Sequence, residues 1–197
     1  MGSPHCCLLL VFLLAPVILF NLVRPSVKDE ATQALIKKLC HQTADYAYCS
    51  DVFNQHLPSP TTDVVGLTQV AVSQSLLHAS NTSILIHKLM GAETEETKRD
   101  IYKICQEGYS VVMDLFVQAD LSLAKRDYKD MVDGVSKSQR PVNDCGSKAQ
   151  IDGQAGQLSE MNRQMGVLVN MALKLILQTS IKYMPLCLLI SPDIGNC

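Results

Sequence analysis

Residues 101–119 read IYKICQEGYSVVMDLFVQA, and the spacing of their apolar residues indicates how this chain folds. An apolar or small residue recurs every three or four positions, which places one stripe along one face of an α-helix. The stripe consists of Ile101, Ile104, Cys105, Gly108, Val111, Val112, Leu115 and Ala119. Thr94 is a predicted N-cap, followed by Glu95 and Glu96 in the first turn, where the helix dipole favours acidic residues. The stretch therefore predicts a long helix with one face in a core.

Helices are predicted before this stretch as well. Between Val27 and Leu57 we expect two short helices, around Cys40 and Cys49, and the Pro-Ser-Pro sequence 58–60 ends the second one. A long helix then follows, with Asp63 as its N-cap, which runs to Met90 and is stopped by Gly91. It is apolar on two sides, with Leu67, Val70, Leu77, Ile84 and Leu85 on one and Val72, Leu76, Ala79 and Ile86 on the other. A helix of this kind is expected to lie buried between neighbours.

Two further helices complete the pattern. One is predicted from Asp120 to Lys137, ending before Pro141, and the last from about Gln157 to Ile181, ended by Pro185. No stretch alternates apolar and polar residues with the period of a strand. The predicted class is all-α, an antiparallel up-and-down four-helix bundle preceded by a short N-terminal helical hairpin. The hairpin is too short to be stable alone and must be stabilised by packing against the bundle or against a partner.

Length and composition narrow the class of protein. The chain has 197 residues, 47% of them hydrophobic and 18% charged, which suits one folded domain and excludes a disordered chain. The net charge of -2 and the pI near 6.2 leave no basic surface for nucleic acid. We therefore expect no nucleic-acid partner.

The N-terminus predicts a secretory signal. Residues from Cys6 to Val23 are apolar except Pro16 and Asn21, as in the hydrophobic region of a signal peptide. The run is also just long enough for an uncleaved anchor, but its proline favours removal and therefore no membrane contact in the mature form. We assign residues 1–25 to the signal, 27–181 to the helical domain and 182–197 to an apolar C-terminal tail.

Six cysteines remain once the signal is removed: Cys40, Cys49, Cys105, Cys145, Cys187 and Cys197. They lack the spacing of zinc ligands, so we expect structural disulfides, which a translocated chain can form. Six cysteines allow fifteen pairings, and sequence alone does not choose among them. Cys187 and Cys197 could pair with each other, link two chains or stay reduced.

The sequence carries no motif of an enzyme, a cofactor site or a metal site. There is no nucleophile elbow, no H-E-x-x-H, no phosphate-binding glycine loop and no E-x-x-H pair for a di-iron bundle. Met161, Met165 and Met171 are expected to fill the core, and His78 and His87 do not share a helix face. We expect a protein that is no enzyme and that has no cofactor, metal or small-molecule substrate.

Asn81-Thr82-Ser83 is an acceptor sequence for N-linked glycosylation. On a helical projection, Asn81 falls close to the stripe formed by Leu67, Val70 and Leu77. If that stripe is buried, a glycan on the folded protein would be difficult to accommodate.

Several motifs resemble a known family, the plant invertase and pectin methylesterase inhibitors. Residues 40–49, CHQTADYAYC, resemble its C-x-x-T-x5-C motif, and residues 105–109, CQEGY, followed by Asp114-Leu115, resemble its C-x-E-x-Y and D-x-L stretch. Asp127-Tyr128 precedes Cys145 by the usual distance, and Leu168–Leu173 is similar to the final helix. Two departures are Ser136-Lys137-Ser138, where S-A-A is usual, and the apolar tail.

The resemblance implies the disulfides Cys40–Cys49 and Cys105–Cys145, a four-helix bundle with a helical hairpin, and a proteinaceous enzyme inhibitor. It also implies secretion to the cell wall, with the vacuole as the alternative. Two target classes occur in the family, pectin methylesterase and acid invertase. Either would be inhibited stoichiometrically, by a helical face that covers the substrate cleft.

The residues favour pectin methylesterase as the target. Glu107 and Asp114 match acidic positions that inhibitors of this esterase carry on the helix after the third cysteine, although Val111 stands where a further Asp is common. Invertase inhibitors often carry D-P-K-F where this chain has Asp127-Tyr128-Lys129-Asp130, so only Asp127 and Lys129 agree. The candidate partner-binding residues are therefore Glu107, Asp114, Asp127, Lys129 and Asp130.

Histidines would make such inhibition sensitive to pH, because imidazoles titrate in a mildly acidic wall. The candidates are His41, His56, His78 and His87. Two other functions compete with inhibition: an inactive family member, and a secreted helical-bundle ligand for a receptor. The receptor ligand is disfavoured because such bundles have long crossover connections, whereas Gly91–Glu93 is short.

Overall fold

The computed structural model describes residues 29–151 and 156–183, and every regular element in these two ranges is an α-helix. The helices, numbered here in chain order, are α1 (Glu30–Cys40), α2 (Tyr46–His56), α3 (Val64–Ala92), α4 (Glu96–Lys125), α5 (Tyr128–Lys137), α6 (Gln139–Ile151) and α7 (Gly156–Tyr183). The predicted signal, residues 1–25, and the tail from residue 184 onward lie outside the described residues.

Helices α3 to α7 form an antiparallel four-helix bundle, in which the two shorter helices α5 and α6 together take the place of one long helix. The start of α3 meets the end of α7 at Thr68 and Thr179, whose hydroxyls lie 3.1 Å apart. Gln69 of α3 bonds to Asp120 near the end of α4 at 2.8 Å. Asn162, early in α7, donates to the carbonyl of Val142 in α6 at 3.0 Å. The predicted all-α class and up-and-down bundle are confirmed.

The hairpin formed by α1 and α2 packs against α3 and α7. Its side chains Ile36, Leu39 and Phe53 are buried in the same core as those of the bundle. Thr32 of α1 accepts a hydrogen bond from the Thr62 amide at 2.9 Å and donates to the Thr62 carbonyl at 3.0 Å. The hairpin is therefore stabilised by the bundle, as its short length requires.

An ion pair makes a second connection between hairpin and bundle. Asp45 caps α2 by accepting from the Tyr48 amide at 2.9 Å, and its other oxygen lies 2.8 Å from the guanidinium of Arg163 in α7. These two interactions hold the pKa of Asp45 below its ordinary value, with the Tyr48 amide as the larger cause. Arg163 also pairs with Glu160 on its own helix, at 2.7 Å.

The two disulfides join the pairs that the family resemblance implies. Cys40–Cys49 connects α1 with α2, and Cys105–Cys145 connects α4 with α6. Cys145 lies inside α6, between Lys137 and Gln157, where the sequence predicted no helix. The second bond closes a sequence separation of 40 residues, which corresponds to about 4 kcal/mol of stabilisation by loss of chain entropy.

The third long helix was predicted with the wrong bounds. Helix α4 continues to Lys125, and α5 begins at Tyr128 after a left-handed residue, Arg126, with φ of 60°. The amides of residues 126 and 127 bond back to carbonyls of α4, and the Asp127 side chain caps α5 by accepting from the Asp130 amide at 3.1 Å. These local hydrogen bonds end α4 and start α5. The apolar periodicity of the sequence continues across the break and therefore does not predict it.

A second break separates α5 from α6 at Ser138, whose buried hydroxyl donates to the Val135 carbonyl at 2.6 Å. Pro141 therefore lies in the first turn of α6 and does not end a helix. Proline is tolerated there because the first amides of a helix have no intrahelical acceptor.

The cap of α4 also differs from the prediction. Thr94 does not cap the helix; Glu93 accepts hydrogen bonds from the amides of Thr94 and Glu95, both at 2.9 Å. These two amides precede Glu96, the first residue of α4, and no side-chain hydrogen bond caps the helix. The Glu93 carboxylate is nevertheless well placed for the positive end of the helix dipole. Gly91 lies inside α3, which continues to Ala92.

The two apolar sides predicted for α3 are not both buried. Leu77 and Ile84 are about half exposed, at 52% and 51%, whereas Thr68, Ala71, Ser75, Ala79 and Thr82 are fully buried. The buried hydroxyls donate to carbonyls one turn earlier, for example Thr68 to Val64 and Ser75 to Ala71, both at 2.7 Å. Because their hydroxyls are hydrogen-bonded within the helix, threonine and serine side chains can face the core, where the apolar pattern had predicted leucine. Asn81, next to Leu77, is exposed as well.

Helix α7 is long and apolar enough to span a membrane by length and composition alone, with a mean hydropathy of 1.2 over 18 residues. Half of that window is buried inside the bundle. Leu158, Met165, Leu168, Ala172, Leu175 and Ile176 face the core. We therefore assign α7 as the central core helix of the bundle. Met165 and Met171 are fully buried, and Met161 is half-buried.

His78 lies where α2, α3 and α7 meet. Its Nε2 is 2.7 Å from the Met161 carbonyl, and its ring packs edge-on against Tyr48, with ring centroids 6.4 Å apart. Burial lowers its pKa below 6.5, against the opposing effects of the Met161 carbonyl and of Glu160. Burial likewise raises the pKa of Tyr48 to about 12.

Replacement of Thr32 tests the junction between hairpin and bundle. We expect Thr32→Val to lower the free energy of unfolding by about 1–3 kcal/mol, because the buried Thr62 amide loses its acceptor. Chemical denaturation at equilibrium measures this loss. Thr61→Val, at an exposed neighbouring position, is the control and should stay within about 0.5 kcal/mol of the wild type. Equal stability of Thr32→Val and Thr61→Val would contradict the assigned role of Thr32.

Replacement of His78 tests how stability depends on pH. In the unfolded chain the imidazole takes up its proton near pH 6.5, whereas the folded protein resists protonation, so stability falls as the pH drops below about 6.5. We expect His78→Gln, which keeps a donor for the Met161 carbonyl, to lose less stability than the wild type between about pH 7 and pH 5. Denaturation curves at the two pH values measure the difference. His87→Gln, on the exposed side of α3, should behave like the wild type.

Candidate functional site

The outer surface of α4 carries two of the predicted partner-binding residues. Glu107 and Asp114 are exposed and stand two helical turns apart, so they project from the same side of the helix. Four large apolar side chains beside them are also exposed, by 42–49%: Ile104, Val111, Val117 and Leu121. We call these six residues the α4 face. It combines two carboxylates with apolar side chains that have no cover in the described structure.

Two of the four apolar residues of the α4 face were predicted to be buried. Ile104 and Val111 belong to the expected core stripe, but the helix is turned so that Tyr102, Tyr109 and Phe116 face inward. These aromatic residues repeat every seven positions and are buried almost completely. Burial of the three aromatic side chains removes more apolar area from water than burial of Ile104 and Val111 would. The seven-residue repeat of aromatic residues is the signal in the sequence that could have given the right orientation.

A buried polar contact holds α4 in this orientation. The Tyr109 hydroxyl donates to Oδ1 of Asn162 in α7 at 3.0 Å, and Nδ2 of Asn162 donates to the Val142 carbonyl in α6. Burial raises the pKa of Tyr109, which therefore stays a neutral donor. One side-chain pair thus connects three helices behind the α4 face.

Two further contacts bring α6 against the back of α4. The disulfide Cys105–Cys145 lies two residues before Glu107. Gly108 packs so closely on Pro141 that a Cβ at position 108 would lie 3.3 Å from the proline Cβ. The α4 face is therefore presented by a helix with little freedom to rotate or shift.

The carboxylates of the α4 face are unpaired in the part of the chain that the structure describes. Neither Glu107 nor Asp114 takes part in any of the ion pairs or side-chain hydrogen bonds of residues 29–151 and 156–183. By contrast, Asp120 on the same helix is bonded to Gln69. Unpaired, solvated carboxylates are available to meet basic or polar groups of a partner.

The other predicted partner-binding residues lie elsewhere. Asp127, Lys129 and Asp130 are exposed at the start of α5, beyond the end of α4. The carboxylate of Asp127 is occupied by capping, and Tyr128 stacks on Tyr183 of α7, with ring centroids 6.2 Å apart. The structure thus divides the five predicted residues into two separate groups.

Asp127 and Lys129 line an open groove of about 740 Å³ between α5 and the end of α7, whereas Asp130 does not. Its lining combines cationic, acidic and apolar side chains, and consists of Lys125, Arg126, Asp127, Tyr128, Lys129, Val132, Asp133, Leu177, Ser180 and Tyr183. This groove differs from the α4 face in having cations beside its carboxylates.

Four histidines were predicted to give pH sensitivity, and none lies on the α4 face. His41 packs against Tyr46 in the hairpin, with ring centroids 4.7 Å apart and ring planes tilted by 36°; His56 is exposed at the end of α2, and His87 is exposed on α3. His78 is half-buried at the junction already described. In the described ranges, no cluster of three or more histidine, cysteine or acidic side chains forms a metal site.

Comparison with known families gives a match over most of the described chain. Residues 34–175 match the family described as plant invertase/pectin methylesterase inhibitor.

Two curated relatives are similar in sequence. A pectinesterase inhibitor from Actinidia deliciosa is 30% identical over 108 residues, which cover 55% of this chain and 57% of that protein. The chain thus spans just over half the length of this relative. A cell wall / vacuolar inhibitor of fructosidase 2 from Arabidopsis thaliana is 27% identical over 126 residues, 62% of this chain and 69% of that protein.

Two solved structures share the fold. Mutant form A of a pectin methylesterase inhibitor from Arabidopsis aligns with a TM-score of 0.65 at 15% identity, covering 72% of this chain and 94% of that one. A pectin methylesterase inhibitor from Arabidopsis thaliana aligns with a TM-score of 0.57, also at 15% identity, covering 77% and 97%. At this identity the likeness concerns the fold alone.

Replacement of Tyr109 tests the contact behind the α4 face. We expect Tyr109→Phe to lower the free energy of unfolding by about 1–3 kcal/mol, because Asn162 keeps a buried acceptor without its donor. Urea denaturation measures the effect. Tyr46→Phe, at an exposed position, serves as the matched control and should change stability by less than about 0.5 kcal/mol. A Tyr109→Phe variant as stable as this control would show that the hydroxyl does not matter.

Proposed function

This chain belongs to the plant invertase/pectin methylesterase inhibitor family, and we propose that it inhibits pectin methylesterase by covering the substrate cleft of that enzyme. The observation that carries the proposal is the α4 face, where two unpaired carboxylates stand among exposed apolar side chains on a rigidly held helix. The family consists of enzyme inhibitors, and we infer that the chain itself has no catalytic role.

The α4 face has the composition that a protein–protein contact needs. Val111, Val117 and Leu121 provide apolar area for the centre of an interface, where most binding energy is located. Glu107 and Asp114 lie beside them and would meet basic or polar groups at the rim of a cleft that binds a polysaccharide. Such rim charges mainly raise the association rate and make it sensitive to salt.

Rigidity supports inhibition by occlusion. A stable complex needs about 1,200–2,000 Å² of buried surface, and ordering a flexible face would subtract from its affinity. Here the face is already ordered by the Cys105–Cys145 disulfide, the Gly108–Pro141 contact and the Tyr109–Asn162 hydrogen bond. The mechanism would thus be one-to-one binding that excludes the polymer, with no chemical step.

Acid invertase is the second candidate target, and the groove between α5 and α7 is the surface that favours it. Lys129 is exposed there beside Asp127, as in the resemblance to invertase inhibitors. Three features count against it: Asp127 is engaged in capping, Tyr128 stacks on Tyr183, and Asp130 stands where a phenylalanine is usual. We therefore place pectin methylesterase first.

The site of action would be the cell wall, with the vacuole as the alternative. One relative is named for both compartments. The two buried disulfides support folding in an oxidising compartment, which the predicted signal over residues 1–25 would give access to.

Parallel titration of two enzymes tests the function. The oxidised, secreted chain is added to a pectin methylesterase and to an acid invertase at mildly acidic pH, and residual activity is measured. We expect the esterase to be inhibited at near-equimolar ratio and the invertase to be unaffected. Inhibition of the invertase alone would reverse the target, and activity of both enzymes would indicate an inactive family member or a receptor ligand.

Charge reversal on the α4 face tests the site. We expect Glu107→Lys combined with Asp114→Lys to raise Kd for the esterase by about ten-fold or more, about 1.4 kcal/mol, mainly through slower association. The difference from the wild type should shrink at high salt, because exposed charges are screened. Binding kinetics at two ionic strengths measure both effects. Asp51→Lys, at another exposed carboxylate, on α2, is the control, and an effect of equal size there would show that the α4 face is not the binding site.

A further inference from the structure

The acceptor sequence Asn81-Thr82-Ser83 is not used by the proposed function, and it is the only Asn-x-Ser/Thr sequence among the 197 residues. The expected obstacle was burial of Asn81 beside Leu77. The structure removes this obstacle, because Asn81 is exposed and Leu77, one turn earlier, is exposed by 52%. A substituent on the Asn81 amide would therefore extend into solvent.

We propose that Asn81 carries an N-linked glycan, whose first N-acetylglucosamine covers Leu77 at the mouth of the groove between α2 and α3. The Asn81 side-chain amide nitrogen forms a bond to the anomeric carbon of the donor sugar and gives up one proton, while the bond from that carbon to the lipid diphosphate breaks and the diphosphate leaves. This modification is made on the translocated chain. The two buried disulfides point to folding in the same oxidising compartment.

The other two residues of the acceptor sequence do not oppose the modification. Thr82 and Ser83 are buried; Thr82 donates to the His78 carbonyl at 2.8 Å, and Ser83 accepts from Gln106 at 2.9 Å. The transfer needs the Ser83 hydroxyl while the nascent chain is still extended, before α3 packs. After folding, only the Asn81 side chain needs room.

The groove beside Asn81 is suited to a sugar. It has a volume of about 260 Å³ and is lined by Tyr48, Asp51, Val52, Gln55, His56, Gln74, Leu77, His78 and Asn81. The side chains of Asp51, Gln55 and His56 are exposed and can hydrogen-bond sugar hydroxyls or the acetamido group. Leu77 offers an apolar surface to the less polar face of the pyranose ring, and its cover by the sugar would remove part of it from water.

The glycan would lie away from the α4 face. Contacts of α3 with α4 come from another side of the helix, at Gln69 and Ser83, whereas Asn81 borders α2. A glycan at this position would contact the hairpin and leave the outer surface of α4 accessible.

Intact mass of the full chain, secreted from a eukaryotic host, tests occupancy. We expect one endoglycosidase-sensitive mass increment, lost in Asn81→Gln and in Ser83→Ala and kept in Ser83→Thr. Asn170→Gln, at an exposed asparagine outside any acceptor sequence, is the matched control and should keep the increment. A secreted wild type without the increment, or an Asn81→Gln variant that retains it, would overturn the proposal. Should Ser83→Ala fail to fold without its bond to Gln106, Asn81→Gln and Ser83→Thr still decide.

Hydrogen exchange tests the position of the first sugar. Three forms are compared: the chain with a complete high-mannose glycan, the same chain trimmed by endoglycosidase to one N-acetylglucosamine, and Asn81→Gln. We expect amides of α2, residues 46–56, to exchange more slowly in both glycosylated forms than in Asn81→Gln. Protection lost on trimming, or equal exchange in all three forms, would contradict the contact with the groove.

Discussion

The small buried face of α3 is the constraint on which the packing of the bundle depends. Thr68, Ala71, Ser75, Ala79 and Thr82 contribute little volume, so the helices on either side can approach α3 closely. Each hydroxyl is satisfied by a carbonyl of its own helix or by the hydroxyl of Thr179 in α7, so none is left unpaired in the core. The volume of the core comes instead from α4 and α7.

The α4 face follows from this distribution of volume. Tyr109 and Phe116 fill the core from α4, so the opposite side of that helix, with Val111 between Glu107 and Asp114, is left in solvent. The Tyr109 hydroxyl also bonds to Asn162 and so holds α4 in this orientation. The orientation of α4 about its own axis thus decides both which of its side chains fill the core and which form the candidate binding surface. A face held in this way can cover a cleft without first becoming ordered.

Much of the fold could be predicted from the sequence, and the errors have identifiable physical causes. The hairpin, the bundle and the orientation of α7 follow from apolar spacing and helix stops. The break at Arg126 could not be predicted from that spacing, because local hydrogen bonds end α4 while the apolar periodicity continues. The exposure of Leu77 was missed because a hydropathy pattern treats threonine and serine as polar, although a helix can satisfy their hydroxyls internally. That error also made Asn81 look less accessible than it is.

The sequence by itself determined the helical class, the family motifs around the cysteines and the identity of Glu107 and Asp114 as candidates. These properties depend on residue types and short spacings, which a chain carries before it folds. Only the tertiary structure decided which side of α3 and α4 faces the core, that Asp127, Lys129 and Asp130 lie apart from the α4 face, and that Asn81 is exposed. Such properties depend on competition among side chains for one limited core volume, and that competition is settled only when all helices pack together.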